Sequence, residues 1–298
     1  MQIKISRKNT AVLLIILSAL CFTGMNSCVR LAGELPSVEK AFFRNLVAAV
    51  FAAVMLFRSR TSLKIQEGCR GAMIMRAVCG TVGVLCNFYA IDRLDLADAS
   101  MLNKLSPFFA VIFSMMILKE KTSPAQIFAV ILAFGGSLFI IRPTFANMEL
   151  FPSLVGFLGG MGAGAAYTFV RFMKQRGEKS ALIVLFFSVF SCAVTLPLML
   201  AGFVPMTLKQ VLVLLLAGIF AAGGQFAITG AYAFAPAKEV SVYDYSQVIF
   251  AAAAGFLLFG QIPSAMSWIG YAIIISAAVW TFIRNNRWRG ADAGGEAS

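Results

Sequence analysis

The chain has 298 residues, 60% hydrophobic and only 13% charged, with a mean hydropathy of +0.85. A soluble domain carries about 25% charged residues, so an ordinary soluble fold is excluded. Histidine is absent, which removes Ser-His-Asp and Cys-His catalysis, His-ligated zinc and haem. A formal net charge of +12 raises the question of a nucleic-acid partner, which the placement of the basic residues answers.

A bilayer core needs about 20 apolar residues per helix. Ten such spans follow one another at 11–32, 38–57, 71–91, 97–118, 124–142, 153–173, 180–203, 209–235, 240–260 and 265–283. The runs do not alternate as barrel strands would, and the connections leave no room for a soluble domain. Lys4, Arg7 and Lys8 precede span 1 as they would a signal peptide. That span is too long for one and lacks a small-x-small cleavage site, so it reads as helix 1. Cys21, Cys28, Cys69, Cys79, Cys86 and Cys192 form no CxxC pair and read as buried small residues. No metal and no cofactor are expected.

Lys and Arg in short loops set orientation. With a cytoplasmic N-terminus, the inner segments hold Arg58, Arg60, Lys64 and Arg70, then Lys119 and Lys121, then Arg171, Lys174, Arg176 and Lys179. Lys238, Arg284, Arg287 and Arg289 follow on the same side, while the outer loops hold only Arg93, Arg142 and Lys209. Topology therefore accounts for the positive charge, both termini are expected in the cytoplasm, and no nucleic-acid partner is expected. The outer loop 92–98 carries Asp92, Asp95 and Asp98, expected as a solvated acidic turn, with a weak cation site as the alternative.

The chain also repeats itself. Val29-Arg30 matches Val170-Arg171, Tyr89-Ala90 matches Tyr232-Ala233, and Ile141-Arg142 matches Ile283-Arg284, at offsets of 141, 143 and 142 residues. This divides the chain into repeats at 11–143 and 152–284 and a cytoplasmic tail at 285–298. Five spans per repeat is odd, so the second repeat must enter the membrane upside down. The expected fold is an all-α polytopic membrane protein of ten transmembrane helices in two inverted five-helix repeats. Such repeats typify secondary transporters, with the substrate at the midplane between them.

Polar groups in hydrocarbon are costly and face partners or a wet cavity. At helical spacing they form stripes on six spans. Span 1 gives Ala19, Thr23, Asn26 and Arg30; span 3 gives Arg76, Gly80, Gly83 and Asn87. Span 4 gives Ser100, Asn103, Lys104 and Pro107; span 6 gives Gly156, Gly160, Gly164, Tyr167 and Arg171. Span 8 gives Gly218, Ala222, Gln225, Thr229 and Tyr232; span 9 gives Tyr243, Asp244, Gln247 and Ala251. Spans 1, 3 and 4 are the repeat equivalents of 6, 8 and 9, as a central pathway on a two-fold axis requires. The glycine ridge of span 6 reads as close packing. Arg30 and Arg171, near span ends, can snorkel to the headgroups.

Arg44 and Lys104 lie deeper and are candidates for substrate contact. So are Asn26, Asn87, Asn103, Tyr167, Gln225, Tyr243, Asp244 and Gln247. Lys104 needs a counter-charge, either an anionic substrate group or a carboxylate. Asp244 is a candidate for proton coupling or for binding a substrate amine, and otherwise a cap at the start of helix 9. Pro107, in mid-span, removes a backbone hydrogen bond and is a candidate gate kink.

The chain resembles the drug/metabolite transporter superfamily, specifically carriers with two EamA-type domains, over about residues 11–284. The resemblance rests on Tyr89-Ala90, the loop Leu94 to Ala99, Leu105-Ser106-Pro107, Lys119-Glu120, and Arg44 in Phe43-Arg44. In the second repeat it rests on Tyr232-Ala233 and Gly255 to Gly260; Gln261 stands where the family often has glutamate. It implies a cavity lined by helices 1, 3, 4, 6, 8 and 9. It also implies alternating access for a small organic metabolite, amino-acid-like or nucleotide-like, across the cytoplasmic membrane. Implied partners are that substrate, membrane lipid and a coupling proton or cation. The competing readings are a non-transport membrane protein, such as a lipid-modifying enzyme or assembly factor, and a channel. The sequence shows no clustered intramembrane carboxylates for the enzyme and no pore motif for the channel.

Overall fold

The computed structural model describes residues 7–59, 63–119, 122–142, 149–234 and 241–295. Among the described residues, ten helices are long and apolar enough to cross a membrane. They are α1 Arg7–Leu31, α2 Ser37–Arg58, α3 Arg70–Arg93, α4 Leu96–Ile117 and α5 Pro124–Ile141 in the first half. The second half has α6 Leu150–Gln175, α7 Ser180–Ala201, α8 Leu208–Phe234, α9 Val242–Phe259 and α10 Ala265–Gly295. Helix α10 continues past its apolar span, which ends at Arg284.

Helix packing obeys the two-fold relation between the halves. Helix α1 packs on α8, and α6, the equivalent of α1, packs on α3, the equivalent of α8. The pairs α4–α6 and α1–α9 correspond in the same way, as do α2–α8 and α3–α7, while α2–α7 and α5–α10 map onto themselves. Direction follows from the contacts. Along α3, Cys79, Gly83 and Ala90 meet Gly162, Gly159 and Gly156 of α6 in reverse order, so these helices are antiparallel. Arg30, at the end of α1, reaches Ile91 and Leu94, at the end of α3, so α1 and α3 run the same way. Hence α1 and α6 run in opposite directions, and the repeats are inverted.

Glycine permits the tightest of these contacts. A Cβ on Gly160 would stand 2.4 Å from the carbonyl oxygen of Leu102, and one on Gly164 would stand 2.7 Å from that of Ser106. Helix α6 therefore lies directly against the backbone of α4 where that helix is broken. In membranes, where lipid is as apolar as leucine, such close approach is the main source of helix affinity.

The break differs from the simple kink expected at Pro107. Helix α4 stops at Asn103 and restarts at Ser106, with Pro107 in the first turn of the second half. Pro107 has no N–H to offer the Asn103 carbonyl, and the chain tightens so that Leu105 N–H donates to Leu102 O at 3.2 Å. Pro107 thus starts a second helix rather than bending one. In α7, by contrast, Pro197 sits inside a continuous helix.

Candidate functional site

The break in α4 exposes Lys104 on the floor of a cavity of about 630 Å³ between the repeats. Facing it is the equivalent position in the other half, where α9 opens with a 3-10 turn, Ser241–Tyr245. Lys104 Nζ donates to Asp244 Oδ2 at 2.5 Å, and the Tyr245 hydroxyl donates to the Lys104 carbonyl oxygen at 3.2 Å. That carbonyl is one the broken helix leaves over, since Phe108 N–H bonds Leu105 O instead. The start of α9 therefore both neutralises the Lys104 charge and serves the interrupted backbone. Asp244 is part of an ion pair across the two repeats, not a cap on its own helix.

Nine of the ten substrate candidates line this cavity: Asn26, Arg44, Asn87, Asn103, Lys104, Tyr167, Gln225, Asp244 and Gln247. Tyr243 does not, and its side chain is 39% exposed. In a 3-10 turn consecutive side chains diverge by a third of a turn, so with Asp244 inward its neighbour points away. Thr23 donates to Ala19 O at 3.0 Å and to Gln247 O at 3.4 Å, and Asn26 Nδ2 donates to Ser100 Oγ at 3.3 Å, which holds the wall formed by α1. Asn26 Oδ1 and Asp244 Oδ1 are buried without a partner among the described residues.

Among the described residues eight helices line the cavity rather than the expected six, because α2 and α7 also contribute. Arg44 comes from α2, and Ser180, Ile183, Val184 and Phe187 from α7. Arg76, Phe187 and Lys174 are lining residues that the candidate set omitted. Arg76 was legible: it heads the stripe Arg76-Gly80-Gly83-Asn87, all four members of which line the cavity. Lys174 looked like a loop charge and Phe187 like any apolar residue. The guanidinium of Arg76 lies 4.0 Å from the centroid of the Phe187 ring, and that of Arg44 lies 5.9 Å from the same ring. Arg44 Nη1 donates to Asn45 Oδ1 at 2.6 Å, and Asn45 Nδ2 donates to Ser191 Oγ at 2.8 Å.

From the ion pair the cavity runs past Tyr167, which is 54% exposed, to the exposed Lys174 at the end of α6. The opposite face is closed. Lys40, fully buried, donates to Asp92 Oδ1 at 2.6 Å and to Gly33 O at 2.7 Å. Arg30 donates to the carbonyls of Ile91 and Leu94 and covers the Phe259 ring. It caps the end of α3 rather than snorkelling; Arg171 is exposed. Glu39 Oε1 accepts from Val204 N–H at 2.8 Å, and Gln210 Nε2 donates to Ala32 O at 3.0 Å.

The expected solvated acidic turn is corrected here. Asp92 holds Lys40, and Asp98 is buried, accepting from Ser267 Oγ at 3.1 Å and from the Tyr271 hydroxyl of α10. Only Asp95 lies between helices; burial pushes its carboxyl up, opposed by Arg30 and Arg142. Glu120, Lys238 and the side chains of Thr229, Tyr232 and Ala233 lie outside the described residues. Among the described residues, no group of Cys, Asp and Glu could hold a metal ion.

The sequence pattern of the EamA-like transporter family matches residues 9–142 and again 150–283. The chain belongs to the EamA-like transporter family. A pseudopaline exporter of Pseudomonas aeruginosa is 30% identical over 91% of this chain and 95% of its own length. A riboflavin transporter of Brucella anthropi is 26% identical over 87% and 93%, and human solute carrier family 35 member G1 is 26% identical over 90% and 78%. A solved structure superposes at a TM-score of 0.65, covering 93% of this chain and 98% of its own at 14% identity, which shows the shared fold. This EamA-like chain is thus a multi-pass membrane protein of a transporter family with a cavity between its two repeats.

Proposed function

We propose that this EamA-like protein is a secondary active carrier that moves a small organic metabolite, amino-acid-like or nucleotide-like, across the cytoplasmic membrane by alternating access. The observation that carries the reading is a cavity, lined by charged and polar side chains among apolar ones, that reaches one face only. It ends blind at the Lys104–Asp244 pair, between helices related by the two-fold axis, with the buried Lys40–Asp92 pair and helix caps beyond. A carrier needs a site that faces one side at a time; exchanging the conformations of inverted repeats moves the opening to the other face. The named functions of the pseudopaline and riboflavin relatives support a small organic cargo. The charge bias of the loops supports cytoplasmic termini and an opening toward the cytoplasm.

Two measurements test this. In a cysteine-free background of intact cells, cysteines placed at Glu34 and Thr207 are expected to react with an impermeant maleimide. Those at Gln175 and Lys179 are expected to react only after lysis, and the reverse pattern overturns the orientation. In proteoliposomes, trapped unlabelled substrate is expected to accelerate uptake of labelled substrate, with the compound recovered unchanged. Flux without this trans-stimulation means a channel, and covalent change in the compound means an enzyme.

A further inference from the structure

Arg44 and Arg76 converge on one ring, that of Phe187, at 5.9 and 4.0 Å from its centroid. Two guanidinium groups held this close repel, and the ring face offsets only part of the cost. Among the described residues neither arginine has an acidic partner, and the Nε of each is buried without a hydrogen-bond acceptor. The site is nonetheless built. Arg44 is oriented through Asn45, itself anchored on Ser191 and Ala41 O. Arg76 lies over Gly80, where a Cβ would stand 2.2 Å from its Nη1. Unpaired charge in a membrane interior is expensive, and a planar anion fits paired arginine forks.

A second cavity, of about 100 Å³, opens from the same place. It shares Arg44, Arg76, Ser180, Val184, Phe187 and Gln225 with the main cavity, and the rest of its wall is mostly apolar, with Ala48, Ala52, Ala222 and Phe226 among it. Its volume is that of about three water molecules, enough for a short branched alkyl group. Ser188 also lines it, fully buried, with a hydroxyl that finds no partner among the described residues.

We infer that Arg44 and Arg76 bind the carboxylate of the transported compound, and that the side cavity between α2, α7 and α8 receives its short apolar arm. This deepens the proposed carrier function by naming the cargo as an amphipathic carboxylate. The order of events is simple. The anion neutralises the arginine pair, which stands at the mouth of the side cavity, and the arm then leaves water for a wall of alanine and phenylalanine.

Binding to purified protein in detergent tests the inference without any transport step, so its failure is separable from failure of the carrier reading. The probes are acetate, 3-methylbutanoate, 3-methylbutanol and 3-methylbutylamine, read by calorimetry with thermal shift as a second readout. The expected result is that 3-methylbutanoate binds about fiftyfold more tightly than acetate, as full burial of three further carbons predicts. The alcohol and amine are expected to bind at least tenfold more weakly than 3-methylbutanoate. Arg44→Gln and Arg76→Gln are expected to lose binding of both acids. Ala222→Leu, which fills the side cavity, should bind the two acids equally, with Ala48→Leu as the alternative should that variant misfold. Equal binding of the acid and the alcohol would overturn the anion site. An undiminished preference for 3-methylbutanoate in both cavity-filling variants would overturn the side-cavity assignment. Binding of the acids by folded Arg44→Gln and Arg76→Gln at wild-type strength would overturn the whole proposal.

Discussion

The two faces of the molecule use the same kinds of residue in opposite ways. On the closed face every cation described in the core has an acceptor: Lys40 has Asp92 and Gly33 O, and Arg30 has the last carbonyls of α3. On the open side Lys104 is paired, while Arg44 and Arg76 converge without an acid, Arg44 with only the Asn45 amide oxygen as acceptor and Arg76 with none among the described residues. Satisfied charges act as fasteners; unsatisfied charges are places where a ligand can supply what the protein does not. Burial alone does not make this distinction, since Lys40 is fully buried and the Nε of Arg44 and of Arg76 is buried too. What separates them is where the backbone ends. Helix termini on the closed face supply spare carbonyls and amides, whereas Arg44 and Arg76 emerge from mid-helix, where the backbone groups are already bonded.

The largest effect is expected at the junction between the two regimes. Lys104→Gln leaves Asp244 as a buried charge without its partner, and Asp244→Asn does the reverse. Removing one partner of a buried pair costs about 3 kcal/mol, so each single variant should melt well below the wild type and lose transport. The double variant Lys104→Gln/Asp244→Asn should recover most of the stability, because neither charge is then stranded. If it also recovers counterflow, the pair is a fastener like those on the closed face. If it is stable and inactive, the pair touches substrate or a coupling proton. Wild-type counterflow in either single variant would remove the pair from the mechanism.

Next comes Asp92→Asn on the closed face, which strands the fully buried Lys40. The closed state should lose about 3 kcal/mol, shifting the population toward a state open on that side. A cysteine placed at Met25, on the cavity wall, should then react with an impermeant maleimide from outside at least about tenfold faster than in the Asp92 parent. An unchanged rate would mean that the closed face does not depend on this pair. A smaller effect is expected from Gly160→Ala, whose Cβ meets the Leu102 carbonyl at 2.4 Å, against Gly135→Ala, whose Cβ has nothing within 4 Å. Overpacking of this kind costs about 1–3 kcal/mol, so only the first should lower the melting temperature.

The contrast between the faces also separates what the sequence made legible from what it did not. The ten helices were readable because apolar length is set by bilayer thickness and little else. The cavity was largely readable because a polar side chain in mid-span has few destinations, so Asn26, Asn87, Gln225 and Gln247 could be placed by periodicity alone. The closed face was not readable. Asp92 and Asp98 look like an exposed acidic loop until Lys40, 52 residues from the one, and Ser267, 169 residues from the other, fold against them. Tyr243 was misplaced because helical periodicity was applied to a 3-10 turn, and Phe187 gave no signal because its role depends on two arginines from other helices.

The smallest effect sharpens the comparison at a single hydrogen bond. Helix α9 ends at Gly260, whose φ of +65° suits glycine and turns the chain back, with Gln261 N–H on Gly255 O at 3.0 Å. That turn presents Gln261 Oε1 to the amide of Leu96, 3.1 Å away, at the start of α4. The preceding residue, Asp95, makes no side-chain cap there, so the second repeat supplies the cap that the first lacks. Gln261→Ala should therefore cost about 1 kcal/mol, the worth of an N-terminal cap, and lower the melting temperature slightly. Gln261→Glu keeps the acceptor and adds charge. The helix N-terminus favours that charge by roughly 0.3–1 kcal/mol, while the neighbouring Asp95 opposes it, so the two terms should nearly cancel and leave stability at the wild-type value. Calorimetric unfolding of the three proteins decides the matter. If Gln261→Ala melts with the wild type, closure of this face does not use the cap. If Gln261→Glu is strongly destabilised, repulsion from Asp95 outweighs the helix terminus, and a neutral amide is the residue that this position requires.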